Sequence, residues 1–274
     1  MQVDFGRTSE DYARYRAGFP ASLFERLAQR GIGLPGQQIL DLGTGTGTLA
    51  RGFARRGCAV TGVDVAAEQL AQADELDRLA GVQVEYRVAP AEDTRLPSNS
   101  FDVVSAGQCW HWFDRPRTAA EISRLLKSGG TLVIAHYDWL PLPGNVVALT
   151  EELILRYNPA WHFGSGTGIY PQWFGDVAVA GFQEIESFTY DEPAIYSNEA
   201  WRGRVRASAP IGGSLPAEDV DRFDAALAAA LEQRFPDEPL AVPHRVFVLT
   251  CRTDANRETK NVIRQVLAMI GAVH

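Results

Sequence analysis

Cysteine is scarce and scattered: Cys58, Cys109 and Cys251 are the three in 274 residues. An odd count without CxxC spacing argues against a disulfide framework and against a thiolate zinc site, and it suits a reducing compartment such as the cytoplasm. Long apolar runs are missing too, none approaching the ~20 residues that a membrane-spanning helix needs. The opening stretch, MQVDFGRTSEDYARYR, holds no apolar h-region, so no secretory leader is expected. Basic charge is in the minority, 26 Lys and Arg against 34 Asp and Glu, for a net charge of −8. Nucleic acid and anionic membrane both reward a basic face, so neither is expected as the main partner. There is no internal repeat and no low-complexity tract. What is present is ample core material, 46% apolar residues, in a length that suits one or two domains.

Strand and helix patterns alternate through the first half. Residues 8–16 read as a short polar helix, and Pro20 is expected in the first turn of a second, with Leu23 and Leu27 on one face. QQILDLG reads as a strand, Thr46 to Arg56 as a helix, CAVTGVDV as a strand, and Ala66 to Leu79 as a helix ended by Gly81. VQVEYRVA and SFDVVSAG are further strands. Arg115 to Lys127 is a helix with Ile122, Leu125 and Leu126 inward, and TLVIAHY is the next strand. Alternation of this kind predicts a parallel, doubly wound α/β sheet.

After Tyr137 the rhythm changes at Pro141, Pro143 and Gly144. A helix is expected over about 145–157, then the loop FGSGTG, a helix near Pro171–Ala180 and the strand FQEIESFTY. Residues 191–242 read as mostly helical, with Val220, Phe223, Leu227 and Leu231 on one stripe. HRVFVLTCR is a last strand. Asp254 would cap a C-terminal helix burying Ile263, Val266, Leu267 and Ile270. The expected division is a helical flap at 1–35, a nucleotide-binding core at 36–139, a core strand with lid insertions at 140–242, and a final strand and helix at 243–274.

The run ILDLGTGTGTLARGFARRGCAVTGVDV is strand, glycine turn, helix, strand and acid. Such a turn makes an anion site from backbone N–H groups, and glycine lets a ligand approach closely. Gly45 to Ala50 fits G-x-G-x-x-A, and Asp64 follows Gly45 by the interval of a dinucleotide-binding acid, so an NAD-dependent oxidoreductase is one reading. Asp41 speaks for another. A carboxylate inside the strand, just before Gly43, would repel a pyrophosphate and favour a cationic amino-acid head group.

In the order LDLGTGTG, VTGVDV, APAEDTRLPSNSFDVV, LLKSGGTLVIA, over about residues 10–137, the chain resembles the class I S-adenosylmethionine-dependent methyltransferases, in the branch around ubiquinone and menaquinone biosynthesis. AGQCWHWFD is similar to a stretch of trans-aconitate methyltransferase-like enzymes. Ser128 departs from the family's proline before the glycine pair. The resemblance implies a seven-stranded, mostly parallel, doubly wound Rossmann-like sheet with helical lid insertions, a late antiparallel strand, and S-adenosylmethionine as cofactor. It implies that Gly43, Gly45 and Gly47 run beneath the methionine part, with Asp41 on its ammonium directly or through water. Asp64 would take the ribose hydroxyls, Val65 would pack on adenine, and Ala91 and Glu92 would line it. Gln108 would sit beside the sulfonium. Tyr15 and Arg16, in a flap matching YARYRAGFP, would close over the carboxylate end.

Methyl transfer has no obligatory catalytic motif, because the methyl group comes already activated. Ligands of open α/β sheets lie beyond the carboxyl ends of the strands. Those ends carry His111 and His136, candidates for a general base; the plainer alternative for each is a packed histidine. All six tryptophans, Trp110, Trp112, Trp139, Trp161, Trp173 and Trp201, fall in one stretch of the chain. Trp112, Trp139, Trp173 and Trp201 are candidates for an aromatic lid over an apolar or aromatic small molecule. Arg202, Arg204 and Arg206 in WRGRVR keep open an organic acid methylated on its carboxylate. A silent S-adenosylmethionine-binding partner protein is the third reading. Nucleic-acid methylation is disfavoured: GQCW stands where an NPPY-type tetrapeptide is expected.

Overall fold

The computed structural model describes residues 18–162 and 164–255. Tyr15, Arg16, the helix expected over 8–16 and the one expected after Asp254 lie outside the described residues. The strands are β1 (Gln38–Leu42), β2 (Ala59–Asp64), β3 (Glu85–Val88), β4 (Phe101–Gly107), β5 (Leu126–Trp139), β6 (Gln183–Asp191), β7 (Ala194–Tyr196), β8 (Leu240–Val242) and β9 (His244–Arg252). The helices are α1 (Ala21–Ala28), α2 (Thr48–Ala54), α3 (Ala67–Ala80), α4 (Arg115–Leu125), α5 (Val146–Tyr157), α6 (Gln172–Val179), α7 (Asn198–Arg206) and α8 (Ala217–Arg234).

Seven strands form one sheet in the order β3-β2-β1-β4-β5-β9-β6. The first five are parallel, and β9 runs antiparallel to both β5 and β6. Buried on both faces, the central strands β1, β4, β5 and β9 read as nearly continuous apolar runs, while the edge strands β3 and β6 are largely exposed. Successive residues still divide between two layers. Leu40, Leu42, Val104, Leu132 and Ile134 join Ile122, Leu125, Trp173 and Phe247 on one face. Ile39, Val103, Val133 and Ala135 join Leu23, Leu27, Leu49 and Phe53 on the other. Each such Val, Leu, Ile or Phe side chain contributes about 1.5–3 kcal/mol by leaving water.

Four local expectations needed correction. Pro20 sits at the N-cap of α1, one place ahead of its first turn. α2 begins at Thr48 instead of Thr46, because Gly47 takes φ +75°, a left-handed conformation that a right-handed helix cannot contain. Leu126 is inward as the first residue of β5, not as the end of α4. Residues 191–242 are not helical throughout: β7 and β8 pair as a separate antiparallel ribbon. Three residues each are too few to display a strand period.

The helical part beside the sheet is α5, α7 and α8. Phe223, Leu227 and Leu231, four apart on α8, are fully buried. Arg202 and Arg206 of α7 both pair with Asp224 of α8. Among the described residues, no helix is long and apolar enough to cross a membrane, and no cluster of His, Cys, Asp and Glu could hold a metal ion.

Candidate functional site

At the carboxyl end of β1 the chain reverses through Gly43, Gly45 and Gly47, at φ +60°, +54° and +75°. A Cβ at Gly43 would stand 2.9 Å from the Cys109 side chain, and one at Gly45 would stand 2.8 Å from Gln69 Oε1. The turn is a bare backbone strip pressed against its own supports. Asp41 lies beneath it, 1% exposed. Its carboxylate accepts hydrogen bonds from the Thr44 hydroxyl at 2.6 Å and the Ser105 hydroxyl at 2.7 Å, with no ion pair to it among the described residues. Burial pushes this carboxyl up to about 6, against the pull of the two hydroxyls.

That elevation has a consequence for stability. The folded chain holds the Asp41 proton more tightly than the unfolded chain does. The associated stability is complete below the ordinary value of 3.8 and is lost as pH rises through about 6. Asp41→Asn, which cannot ionise, is therefore expected to melt above the parent at pH 8, with the gap closing toward pH 4. A gap independent of pH in melting curves would contradict the assignment.

Asp64 closes β2. Its Oδ2 accepts the Gly45 N–H and its Oδ1 the Ala66 N–H, each at 2.9 Å. A carboxylate offers about four lone-pair sites, so each oxygen keeps room for another donor. Between the glycine turn and the far end of β4 lies a crevice of about 220 Å³. Asp64, Val65 and Ala91 line one part of it, and Gln108, Trp112 and Phe113 another. Val65, 69% exposed, is an apolar side chain on the crevice. Gln108 has φ +64° and donates through Nε2 to the Tyr137 carbonyl at 2.5 Å.

The methyltransferase-domain family matches residues 40–134. A ubiquinone biosynthesis O-methyltransferase of Xanthomonas campestris is 30% identical over 179 residues, 65% of this chain and 73% of that protein. The chain belongs to the class I S-adenosylmethionine-dependent methyltransferases. S-adenosylmethionine is the cofactor. An uncharacterized methyltransferase of Mycobacterium tuberculosis is 34% identical over 132 residues, 48% of this chain and 51% of that relative, so the match spans about half the relative's length. Among solved structures, phosphoethanolamine N-methyltransferase 2 of Haemonchus contortus, in complex with phosphomonomethylethanolamine and S-adenosylhomocysteine, shares the fold. Its TM-score is 0.55 at 21% identity, covering 92% of this chain and 60% of that one.

Several expected site residues stand away from the crevice. Asp41 does not line the crevice; Thr44, which donates to it, does. The space a side chain would need at Gly47 is taken by the Tyr86 hydroxyl, so this glycine serves packing. Glu92 turns from the crevice and accepts the Asp114 N–H at 3.0 Å. Trp173 and Trp201 are core, 1% and 0% exposed. Trp173 stacks on Tyr170, and Trp201 donates to the Thr150 hydroxyl at 3.0 Å. Trp139 borders a separate cavity of about 80 Å³ and donates to Glu151 at 3.0 Å. Trp112, 46% exposed, is the one candidate tryptophan on the crevice. His111 is exposed, with its ring 4.7 Å from that of Trp112 but not itself lining the crevice, whereas His136 is buried. Arg204 lies over the Trp139 ring, and none of the three WRGRVR arginines lines the crevice.

Sequence reasoning missed Cys109 and Gln69, which line the crevice. Cys109 donates through Sγ to the Leu42 carbonyl at 3.1 Å. Thr44, Thr46 and Thr48 line it as well, and their alternation with the glycines was a usable signal.

Proposed function

We propose that this protein transfers the methyl group of S-adenosylmethionine to a small, flat, apolar or aromatic acceptor. The observation that carries this is the crevice itself, with a carboxylate and a bare glycine turn on one side and a glutamine, exposed Trp112 and half-buried Phe113 on the other. Asp64 would accept the ribose hydroxyls through its remaining lone pairs. Val65 and Ala91 would flank the adenine. The backbone of Gly43 and Gly45 would bed the methionine part, with Gln108 nearest the sulfonium. Asp41 would act at a distance: a buried carboxylate without a cation puts negative potential under the turn. That suits a cationic ligand and opposes a pyrophosphate.

The bound cofactor supplies a methyl group already activated on sulfur. What remains for the chain is to align the acceptor and keep water out. Trp112 and Phe113 offer faces on which a flat acceptor can lie. The relative from Xanthomonas is named an O-methyltransferase, which supports an oxygen acceptor. Carboxyl methylation of an organic acid loses its main support, since Arg202 and Arg206 are already paired with Asp224.

Incubation with S-adenosylmethionine labelled on its methyl group and a mixed set of small aromatic acceptors tests this. Label is expected in an extractable small product, and Trp112→Ala is expected to raise KM for the acceptor while sparing cofactor affinity. Label in no acceptor would contradict the reading.

A further inference from the structure

Behind the crevice rim a set of polar side chains is left unused by cofactor binding. His136 is 1% exposed, and its Nε2 has no hydrogen-bond partner among the described residues. Leaving a buried polar group unpaired costs about 1–3 kcal/mol, so such groups call for an explanation. Nδ1 of His136 stands 3.4 Å from Asp138 Oδ2. The same oxygen accepts the Tyr170 hydroxyl at 2.7 Å. Tyr170 is fixed in turn by a parallel stack on buried Trp173, with ring centroids 3.8 Å apart.

Asp138 is thus held from one side and faces His136 on the other. A carboxylate at Nδ1 favours the tautomer with its proton there and leaves Nε2 as acceptor. Burial alone would raise the Asp138 carboxyl, but His136 and the Tyr170 hydroxyl bring it net below the ordinary carboxylate range. The His111 ring lies 5.5 Å from that of His136 and 4.7 Å from that of Trp112, which lines the crevice. From the partly buried Asp138 carboxylate, two histidine rings lead in succession toward Trp112 at the crevice. The other charged or titratable groups acting on Asp138 are Arg204 from α7 and His244 from β9.

We infer that His111 takes the proton of a hydroxyl acceptor, with His136, Asp138 and Tyr170 as its positioning residues, so the acceptor class is a phenol or a similarly acidic hydroxyl. This rests on the methyl-transfer reading above. In the step, the acceptor O–H bond opens and its proton passes to a ring nitrogen of His111. The oxygen's electron pair forms the new bond to the methyl carbon as the carbon–sulfur bond breaks, its pair returning to sulfur. The positive charge that leaves sulfur reappears on imidazole, where the Asp138 carboxylate favours it. A carboxylic acid is already ionised at neutral pH, and a thiol largely serves itself. A phenol, near pKa 10, needs a base.

The test reads proton transfer without turnover. 4-Nitrophenol is added to the S-adenosylhomocysteine complex at about pH 6, and the phenolate absorbance of the bound probe is followed. The parent protein is expected to bind it largely as phenolate. His111→Gln should lower the ratio of bound phenolate to bound phenol about tenfold, one pKa unit's worth. Asp138→Asn should lower it in the same direction, and so should Tyr170→Phe, which removes one hydroxyl and keeps the stack on Trp173. S-adenosylhomocysteine affinity, measured by calorimetry, should stay unchanged in all three. A merely structural role would weaken that affinity or the fold and leave the ratio alone. Equal ratios in the four proteins overturn the inference, as does a parent protein that binds S-adenosylhomocysteine but neither 4-nitrophenol nor catechol. In parallel turnover with S-adenosylmethionine, preference for aniline, thiophenol or benzoate over phenol overturns the hydroxyl class and leaves methyl transfer standing. Failure of the parent to bind S-adenosylhomocysteine overturns both.

Discussion

Asp64→Ala is expected to weaken S-adenosylhomocysteine binding at least about tenfold in a calorimetric titration, since a hydrogen bond to a charged group contributes about 1.5–3 kcal/mol and 1.4 kcal/mol is a factor of ten. Two losses add. On the proposed reading the ribose would lose its acceptor, and the Gly45 and Ala66 N–H groups lose theirs, so the glycine turn loses a support. Asp64→Asn separates the two. It keeps one carbonyl oxygen for a backbone N–H but no charge, and should fall between the alanine variant and the parent. Unchanged affinity in the alanine variant would remove Asp64 from the site.

Trp201→Ala is expected to cost about 3–5 kcal/mol of stability, the usual penalty for emptying a large aromatic site in a core. The side chain is fully buried, meets Trp139 and Tyr196 edge to face with centroids at 5.3 and 5.4 Å, and hydrogen-bonds the Thr150 hydroxyl. A melting temperature roughly 10 °C lower follows for a chain of this size. Trp112→Ala, at the crevice, should stay within about 0.5 kcal/mol of the parent. Equal destabilisation of the two variants in denaturant titrations would contradict their assignment to core and crevice.

The placement of these tryptophans shows where sequence patterns carry information and where they stop. Trp173 and Val177 are four apart, as are Trp201 and Val205, and all four are buried. That is the spacing of one helix face, so their place in the core was open to inspection. The odd-numbered set was obscured by the interleaved arginines of WRGRVR, which resemble a solvated run; two of those arginines in fact bind Asp224. The glycine turn and Asp64 were readable because strand, turn and acid are local, and one turn fixes their offsets. β7 and β8 were not, because short strands earn their identity only by pairing across a long interval. His136 shares its strand face with Leu132 and Ile134 through period-two alternation. Asp138, two residues on, shares that face by the same alternation, whereas what covers His136, Tyr170 and Trp173, arrives from a distant loop and helix and is visible only in three dimensions. Glu92 fails for a similar reason: it is claimed by the Asp114 N–H, supplied by a turn that sequence places no nearer than any other.

Diffraction from crystals grown with S-adenosylhomocysteine is the most direct test. The ribose hydroxyls should lie on the Asp64 carboxylate, the adenine between Val65 and Ala91, and the thioether sulfur beside Gln108, opening toward Trp112 and His111. Density for the nucleoside outside this crevice, or a crevice that stays closed to it at saturating concentration, would contradict the account.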